Sequence, residues 1–174
     1  MNDDFIISGG ISGGITDIYS DRAEEHAKKY YEAMRHTHSD VAKIARNTGY
    51  NEDTILMIKN YLFVDFHNLD SGIERFVPNF EIAQSWQRLQ LGGEHIKPHD
   101  LTLLKHELME MEYMAKGLSQ SEAHDITSQT YNYGKEALDF YKALGIKSNT
   151  KSDKNQNSGG IKRNKSKDDW KERC

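Results

Sequence analysis

The sequence predicts a mainly α protein, with a single helical domain of about six or seven helices, a short β-hairpin and a disordered basic C-terminal tail. Three observations support this fold class. Apolar side chains between residues 16 and 146 recur every three or four positions, which is the spacing of a buried helical face. Asn, Ser and Gly residues at the ends of these stretches match helix caps. The length of 174 residues suits one domain of ordinary size with a tail.

Three helices are predicted in the first part of the domain, at residues 21–34, 40–47 and 52 to about 66. Ser39 and Asn51 directly precede the second and third of these. Their side chains are of the type that accepts hydrogen bonds from the free N–H groups of a first helical turn. Both residues are therefore predicted to be N-caps.

A hairpin and the remaining helices are predicted in the second part. The loop at residues 67–79 has room for a short hairpin, and Asn79 is placed to cap the helix that comes after it. Ser119 and Glu122 have the spacing of a capping box. The predicted helices are residues 80–91, 98–116, 120 to about 133, and 133–144.

The two ends of the chain differ from the domain in composition. Residues 1–15 are predicted to be a flexible N-terminal segment because Ser-Gly-Gly occurs twice. Residues 147–174 form a basic low-complexity tail with nine Lys/Arg and four Asp/Glu, a net charge of +5, which leaves −9 on the rest of the chain. The tail is interpreted as a solubilising disordered end, the alternative being an anchor for nucleic acid or an anionic surface.

Composition also limits the cellular setting. No apolar run approaches the roughly 20 residues that a membrane helix needs, so no membrane partner is expected. The acidic N-terminus lacks the pattern of a secretory signal, and the lone Cys174 cannot form an internal disulfide. A cytoplasmic location follows as an expectation, with export as part of a larger protein left open.

Glu107 is the most informative single residue. When residues 98–117 are placed on a helix, its carboxylate falls between Met111 and Met114 in the apolar arc. An ionised carboxylate in an apolar environment costs several kcal/mol unless another group compensates for it. His99, His106 and Glu110 lie beside this arc, so acid–base or metal chemistry is expected here.

A metal site is one interpretation of this face. His106-Glu107 resembles the start of the His-Glu-x-x-His helix of zinc peptidases, with Glu110 in place of the second histidine. A carboxylate can bind zinc, and His124 on the next predicted helix can supply a third ligand. The sequence therefore offers His106, Glu110 and His124 as ligands of a divalent metal ion.

Acid–base catalysis without a metal is the second interpretation. Glu107 would be a general base, with His106 or His99 as the acid or the electrophile. Arg88 or Arg75 would hold a phosphate or a developing anion. A purely structural alternative remains, in which Glu107 forms a buried ion pair with Arg88 or caps a loop within the core.

The second and third helices have the outline of a DNA-binding helix-turn-helix. The third helix, however, presents acidic residues together with Lys59 and Asn60, not the array of basic and amide side chains that contacts bases and phosphates. An ordinary antiparallel helix pair is the favoured interpretation.

Four segments together resemble a known domain: AQSWQRL at 83–89, KPHDLTLLKHE at 97–107, GLSQSEAHD at 117–125 and YNY at 131–133. As a set they resemble the C-terminal effector domain of phage minor head (Mu F-like) proteins and of bacterial polymorphic toxins. The resemblance covers roughly residues 8–144. The chain departs from that pattern by starting at its own methionine and by carrying the basic tail.

The resemblance implies a toxin-like effector, located in the host cytoplasm or delivered with a phage particle or toxin. It implies as partners a phage head or delivery protein, or an immunity protein. Its candidate active site corresponds to His99, Asp100, His106 and Glu107. The function expected is a nuclease-like hydrolase acting on nucleic acid or another phosphate-bearing substrate, with Arg88 as anion holder. The alternative is a non-enzymatic phage structural or protein-interaction module.

Overall fold

The computed structural model describes residues 15–146 and the backbone of Ile7–Ser8 and Ile11–Ser12. Within these residues the chain forms seven α-helices, as the sequence predicts. Their bounds are α1 Asp21–His36, α2 Ser39–Thr48, α3 Glu52–Lys59, α4 Phe80–Leu91, α5 Pro98–Ala115, α6 Gln120–Thr130 and α7 Tyr133–Ala143. The tail at residues 147–174 lies outside the described residues, and its disorder stays a prediction.

Two short antiparallel strand pairs accompany the helices. The strands β1 (Ile7–Ser8) and β2 (Ile11–Ser12) pair within the N-terminal segment. The strands β3 (His67–Leu69) and β4 (Gly72–Glu74) form the hairpin predicted between the third and fourth helices. His67 lies opposite Glu74 in this hairpin, and β3 turns its two end residues inward while β4 is exposed.

Side-chain caps fix several helix starts. Asn51, Asn79 and Ser119 accept hydrogen bonds from backbone N–H groups at the start of α3, α4 and α6, as predicted. The prediction for α2 is wrong, because Ser39 is its first helical residue and His38 occupies the cap position without a side-chain hydrogen bond. Ser39 has the right chemistry, but it lies one residue inside the helix.

The third predicted helix changes its winding before it ends. After α3 the backbone continues as a π-helical turn at Asn60–Val64, closed by a hydrogen bond from the Asp65 N–H to the Asn60 carbonyl of 2.8 Å. The Nε atoms of Arg35 and Arg75 donate to the carbonyls of Phe63 and Val64. These are two of the carbonyls that have no partner within the helix because the helix ends there. Such turns are frequent at functional sites.

Six of the helices build the main core around α4. Phe80, Ile82, Ala83, Trp86 and Leu89 of α4 are buried among side chains of α1, α2, α3, α5 and α7. A smaller apolar cluster lies under the β3–β4 hairpin and consists of Tyr61, Leu69 and Phe76, with Met111 and Met114 of α5 against it. α5 therefore lies between two apolar regions, and its middle turns face both.

The described part of the chain contains no helix whose length and apolar content would let it cross a bilayer.

Candidate functional site

Helix α5 carries two groups of buried polar side chains. His99 and Asp100 lie in its first turn, and His106, Glu107 and Glu110 lie in its middle. The rise of an α-helix separates the two groups by about 10 Å along the axis. Residues that the sequence placed in one candidate site are therefore divided between two groups.

The first group, which we call the arginine cluster, consists of Arg88, His99 and Asp100. Arg88 donates through Nε to Asp100 Oδ2 at 2.9 Å and through Nη2 to Asp100 Oδ1 at 2.7 Å. Asp100 Oδ2 also accepts the Lys97 N–H at 2.8 Å and so helps to fix the start of α5. Because Asp100 occupies Arg88 bidentately, Glu107 makes no hydrogen bond to Arg88, contrary to the structural alternative considered above.

His99 is neutral in this cluster. Its Nε2 lies 2.9 Å from Arg88 Nη2, which is always a donor, so this ring nitrogen is the acceptor. Burial lowers the pKa of His99 to about 4, and the Arg88 charge adds to that effect while Asp100 opposes it. The arginine cluster is thus a paired, hydrogen-bonded unit between α4 and α5.

The second group, which we call the His–Glu cluster, consists of His106, Glu110 and His124. Three of their atoms converge between α5 and α6. His106 Nε2 lies 3.1 Å from His124 Nδ1 and 3.3 Å from Glu110 Oε2, and His124 Nδ1 lies 2.9 Å from Glu110 Oε2. The structure therefore brings together the three residues that the sequence offered as metal ligands.

The other ring nitrogen of each histidine has its own partner. His106 Nδ1 donates to the Tyr131 carbonyl at 2.7 Å, which turns Nε2 towards the cluster. His124 Nε2 lies 3.4 Å from the Ser128 hydroxyl one turn further along α6. Hydrogen bonds of this kind orient the imidazole rings of metal sites.

Glu110 is held in the same way. Its Oε1 accepts the hydroxyl of Tyr61 and, at 3.1 Å, the side-chain amide of Gln120. Oε2 is left to face the two imidazole nitrogens. Sequence reasoning missed both partners. Gln120 lies four residues before His124 and could have been found from helical spacing, whereas Tyr61 lies in the π-helical turn, which no local pattern predicts.

Glu107 lies next to the His–Glu cluster and is fully buried, as predicted. Neither of its carboxylate oxygens has a hydrogen-bond partner within residues 15–146. A buried group of this kind costs free energy and is retained where function requires it, or where another species satisfies it. Glu107 is thus an unsatisfied carboxylate beside the hydrogen-bonded His–Glu cluster, hidden from bulk solvent.

Charges in this neighbourhood shift one another's pKa values. Burial and the negative charge of Glu110 raise the pKa of Glu107 to about 8. Burial opposes the charged form of His106, but its hydrogen bond to Glu110 and the charge of Glu107 outweigh that effect and raise its pKa to about 9. Burial acts against ionised Glu110 as well, and the hydrogen bonds from His106 and His124 bring its pKa below the ordinary value.

The remaining sequence candidates lie elsewhere. Arg75 donates to the Val64 carbonyl and stacks on Phe66, so it does not serve as an anion holder at Glu107. Lys59, one of the few basic residues of the possible recognition helix, is buried against Asp40 at 2.7 Å. That burial removes it from any DNA-contacting face.

Comparisons of the chain with protein-family models, with curated proteins and with solved structures found no match.

Proposed function

We propose that this protein is a hydrolase of the effector type, in which Glu107 is the general base and the His–Glu cluster is the electrophilic centre beside it. The proposed substrate is a nucleic acid or another phosphate ester. The effector role rests on the resemblance of the four sequence segments, and the chemistry rests on the geometry around Glu107.

One observation carries the proposal: a buried carboxylate with both oxygens unpartnered lies beside two converging imidazole nitrogens. Hydrolysis needs a base to take a proton from the attacking water and an electrophile to stabilise the developing negative charge. Glu107 suits the first task and the His–Glu cluster the second. Because Glu107, His106 and Glu110 are buried, the proposal requires a local opening of the fold that admits water and substrate. The water oxygen bonds to phosphorus, the bond from phosphorus to the leaving oxygen breaks, and the proton taken by Glu107 passes to that oxygen.

The test compares Glu107→Gln with the wild type on labelled RNA, labelled DNA, a chromogenic phosphodiester and labelled casein. The variant keeps the shape of the side chain but cannot accept a proton, so we expect at least a ~100-fold loss of hydrolysis. Its free energy of unfolding should be close to that of the wild type, because a pKa of about 8 leaves Glu107 mostly uncharged at neutral pH and glutamine has nearly the same shape.

Glu112→Gln is the matched control, since Glu112 is an exposed residue of the same helix, paired with Lys116. It should keep full activity. Hydrolysis of casein alone would move the proposal to peptide bonds, and equal activity of Glu107→Gln and the wild type would refute the role of Glu107. Expression of the three proteins in a bacterial host gives the corresponding toxicity comparison.

A non-enzymatic interaction module is the second candidate function. The observation in its favour is a set of exposed apolar side chains around the hairpin, with Ile73 at 78% and Phe66 at 61% exposure. Under this alternative Ile73→Asp abolishes the cellular effect while Glu107→Gln preserves it, and no substrate is hydrolysed. The opposite pattern supports the hydrolase.

A further inference from the structure

The three converging atoms of the His–Glu cluster cannot all be joined by hydrogen bonds. A hydrogen bond needs a proton on one atom and a lone pair on the other. His106 Nε2, His124 Nδ1 and Glu110 Oε2 form a triangle in which every side is 3.3 Å or shorter. Whichever way protons are distributed over three atoms, at least two are alike, so at least one side joins two lone pairs or two N–H groups. With protons alone, at least one side of the triangle is therefore a close contact without a hydrogen bond.

A cation at the centre removes that conflict, because all three atoms can then present lone pairs to it. Tetrahedral zinc with ligands at about 2.0–2.1 Å has neighbouring ligand atoms about 3.3 Å apart. The observed sides of 2.9, 3.1 and 3.3 Å are close to that spacing. Two imidazole nitrogens with one carboxylate oxygen suit a transition metal ion and not Mg²⁺ or Ca²⁺, which prefer oxygen ligands.

The surroundings are those of a built site. His106 and Glu110 are almost completely buried, and the His124 side chain is 11% exposed. Each of the three has its remaining polar atom held by an outer partner: Tyr131, Ser128, Tyr61 and Gln120. Such outer contacts fix ligand orientation. Glu107 adds an independent indication, since its buried and unpartnered carboxylate lies in the electrostatic field of His106 and Glu110. A dication would balance the charges of these two carboxylates.

We propose that His106 Nε2, His124 Nδ1 and Glu110 Oε2 bind one divalent transition metal ion of the zinc class, with Glu107 nearby as the residue that follows His106 on α5. As an account of catalysis this inference rests on the proposed hydrolase function, and the ion would be the electrophile of that reaction. Glu107 corresponds in its place after the first histidine to the general base of the His-Glu-x-x-His helix.

The test is zinc titration of the full chain after removal of bound metal with a chelator, followed by calorimetry and by the visible spectrum of the Co²⁺ form. We expect one ion per chain and a Co²⁺ spectrum of tetrahedral type. His124→Gln should weaken zinc binding at least ~100-fold by removing one of three ligands. His95→Gln, at an exposed histidine of the Gly93–His95 turn, should bind as the wild type does. Equal zinc affinity of His124→Gln and the wild type would place the ion elsewhere and overturn the proposal, as would the absence of binding.

Tyr61→Phe provides a variant that keeps all three ligands. It removes only the hydroxyl that holds Glu110 Oε1, so zinc affinity should fall about 10-fold, within the range seen for outer contacts. Unchanged affinity in this variant would remove Tyr61 from the site. Zinc binding without any hydrolysis leaves the ion site intact and refutes the hydrolase, whereas hydrolysis that survives metal removal keeps the hydrolase and overturns the ion as its electrophile.

Discussion

At the scale of single residues, His99 shows how burial selects a protonation state. Its ring packs against Phe140 with centroids 4.7 Å apart, and its Nε2 accepts the guanidinium of Arg88. Protonation of His99 would place an N–H group at Nε2 against the N–H groups of the Arg88 guanidinium. The side chain therefore stabilises the fold only while it is neutral.

The low pKa of His99 makes the stability of the protein depend on pH. The pKa of His99 is about 4 in the folded protein, against 6.5 for an ordinary histidine. The unfolded chain binds the extra proton first, so the free energy of unfolding falls as the pH drops from 6.5 towards 4 and is constant from this source outside that window. The contribution is about 3 kcal/mol for a shift of this size.

Urea unfolding of the wild type and of His99→Gln at several pH values measures the contribution of His99 to the free energy of unfolding. Because all other groups titrate in both proteins, the difference between their unfolding free energies should shrink by about 3 kcal/mol across the window. A difference that does not change with pH would show that His99 titrates normally in the fold.

The residue scale also shows how far a sequence can lead. The burial of Glu107 follows from helical spacing alone, because residues three and four apart share a face. The pairing of Arg88 with Asp100, and not with Glu107, does not follow from helical spacing. It depends on how α4 and α5 pack, and the sequence alone allows Arg88 to pair with either carboxylate.

At the scale of elements, α6 differs from the other helices in what it buries. Its buried side chains are Gln120, Ala123, His124 and Thr127, and none belongs to either apolar cluster. Two of them reach Glu110. The attachment of α6 to α5 thus depends strongly on polar contacts, and the proposed ion would join the two helices directly.

Hydrogen exchange should report this dependence. Without zinc, amides of α6 should exchange by local opening, faster than those of α1, whose buried side chains lie in the main core. With saturating zinc, the ratio between the amide protection factors of α1 and α6 should fall at least ~10-fold. A ratio that zinc leaves unchanged would mean that the ion does not hold α6.

Elements differ in how well the sequence anticipates them. The caps at Asn51, Asn79 and Ser119 follow from local chemistry, because each side chain bonds within its own turn. No local pattern predicts the π-helical turn, and the two carbonyls at its end accept hydrogen bonds from Arg35 and Arg75, which lie elsewhere in the sequence. The polar inner face of α6 is likewise intelligible only once its partner residues on α5 are known.

At the scale of the whole molecule, the site lies beside the main core, against the smaller apolar cluster under the hairpin. An ion that binds only the folded chain stabilises it by mass action, by about 2.7 kcal/mol at a free concentration of 100 times Kd. For a domain of this size that corresponds to a rise in Tm on the order of 10 °C.

Calorimetric scans with and without zinc check this prediction. The wild type and His95→Gln should show the rise, and His124→Gln should not. An equal rise in all three proteins would indicate binding at surface histidines, which the fold does not organise.

The fold class itself follows from periodicity and capping, which are local properties summed over the chain. The composition of the candidate site follows only in part. His106, Glu107 and Glu110 share a helix face and were visible together, and His124 was a candidate from its side-chain chemistry. A separate group is formed by His99, Asp100 and Arg88, because seven residues of helix span about 10 Å. Residues that share a helix face can therefore still lie far apart along the axis.

The π-helical turn at Asn60–Val64 has a further consequence. Within it Phe63 packs edge-on against Tyr31 and Trp86 in the main core, while Tyr61 reaches Glu110. The turn holds one residue more than an α-helical turn. Deleting a single residue there would restore the ordinary repeat and rotate the downstream side chains by about 100°. The chain could then keep Phe63 in the interior or Tyr61 on the carboxylate, but not both. A one-residue deletion in this turn would therefore separate the packing of the main core from the hydrogen bond to Glu110.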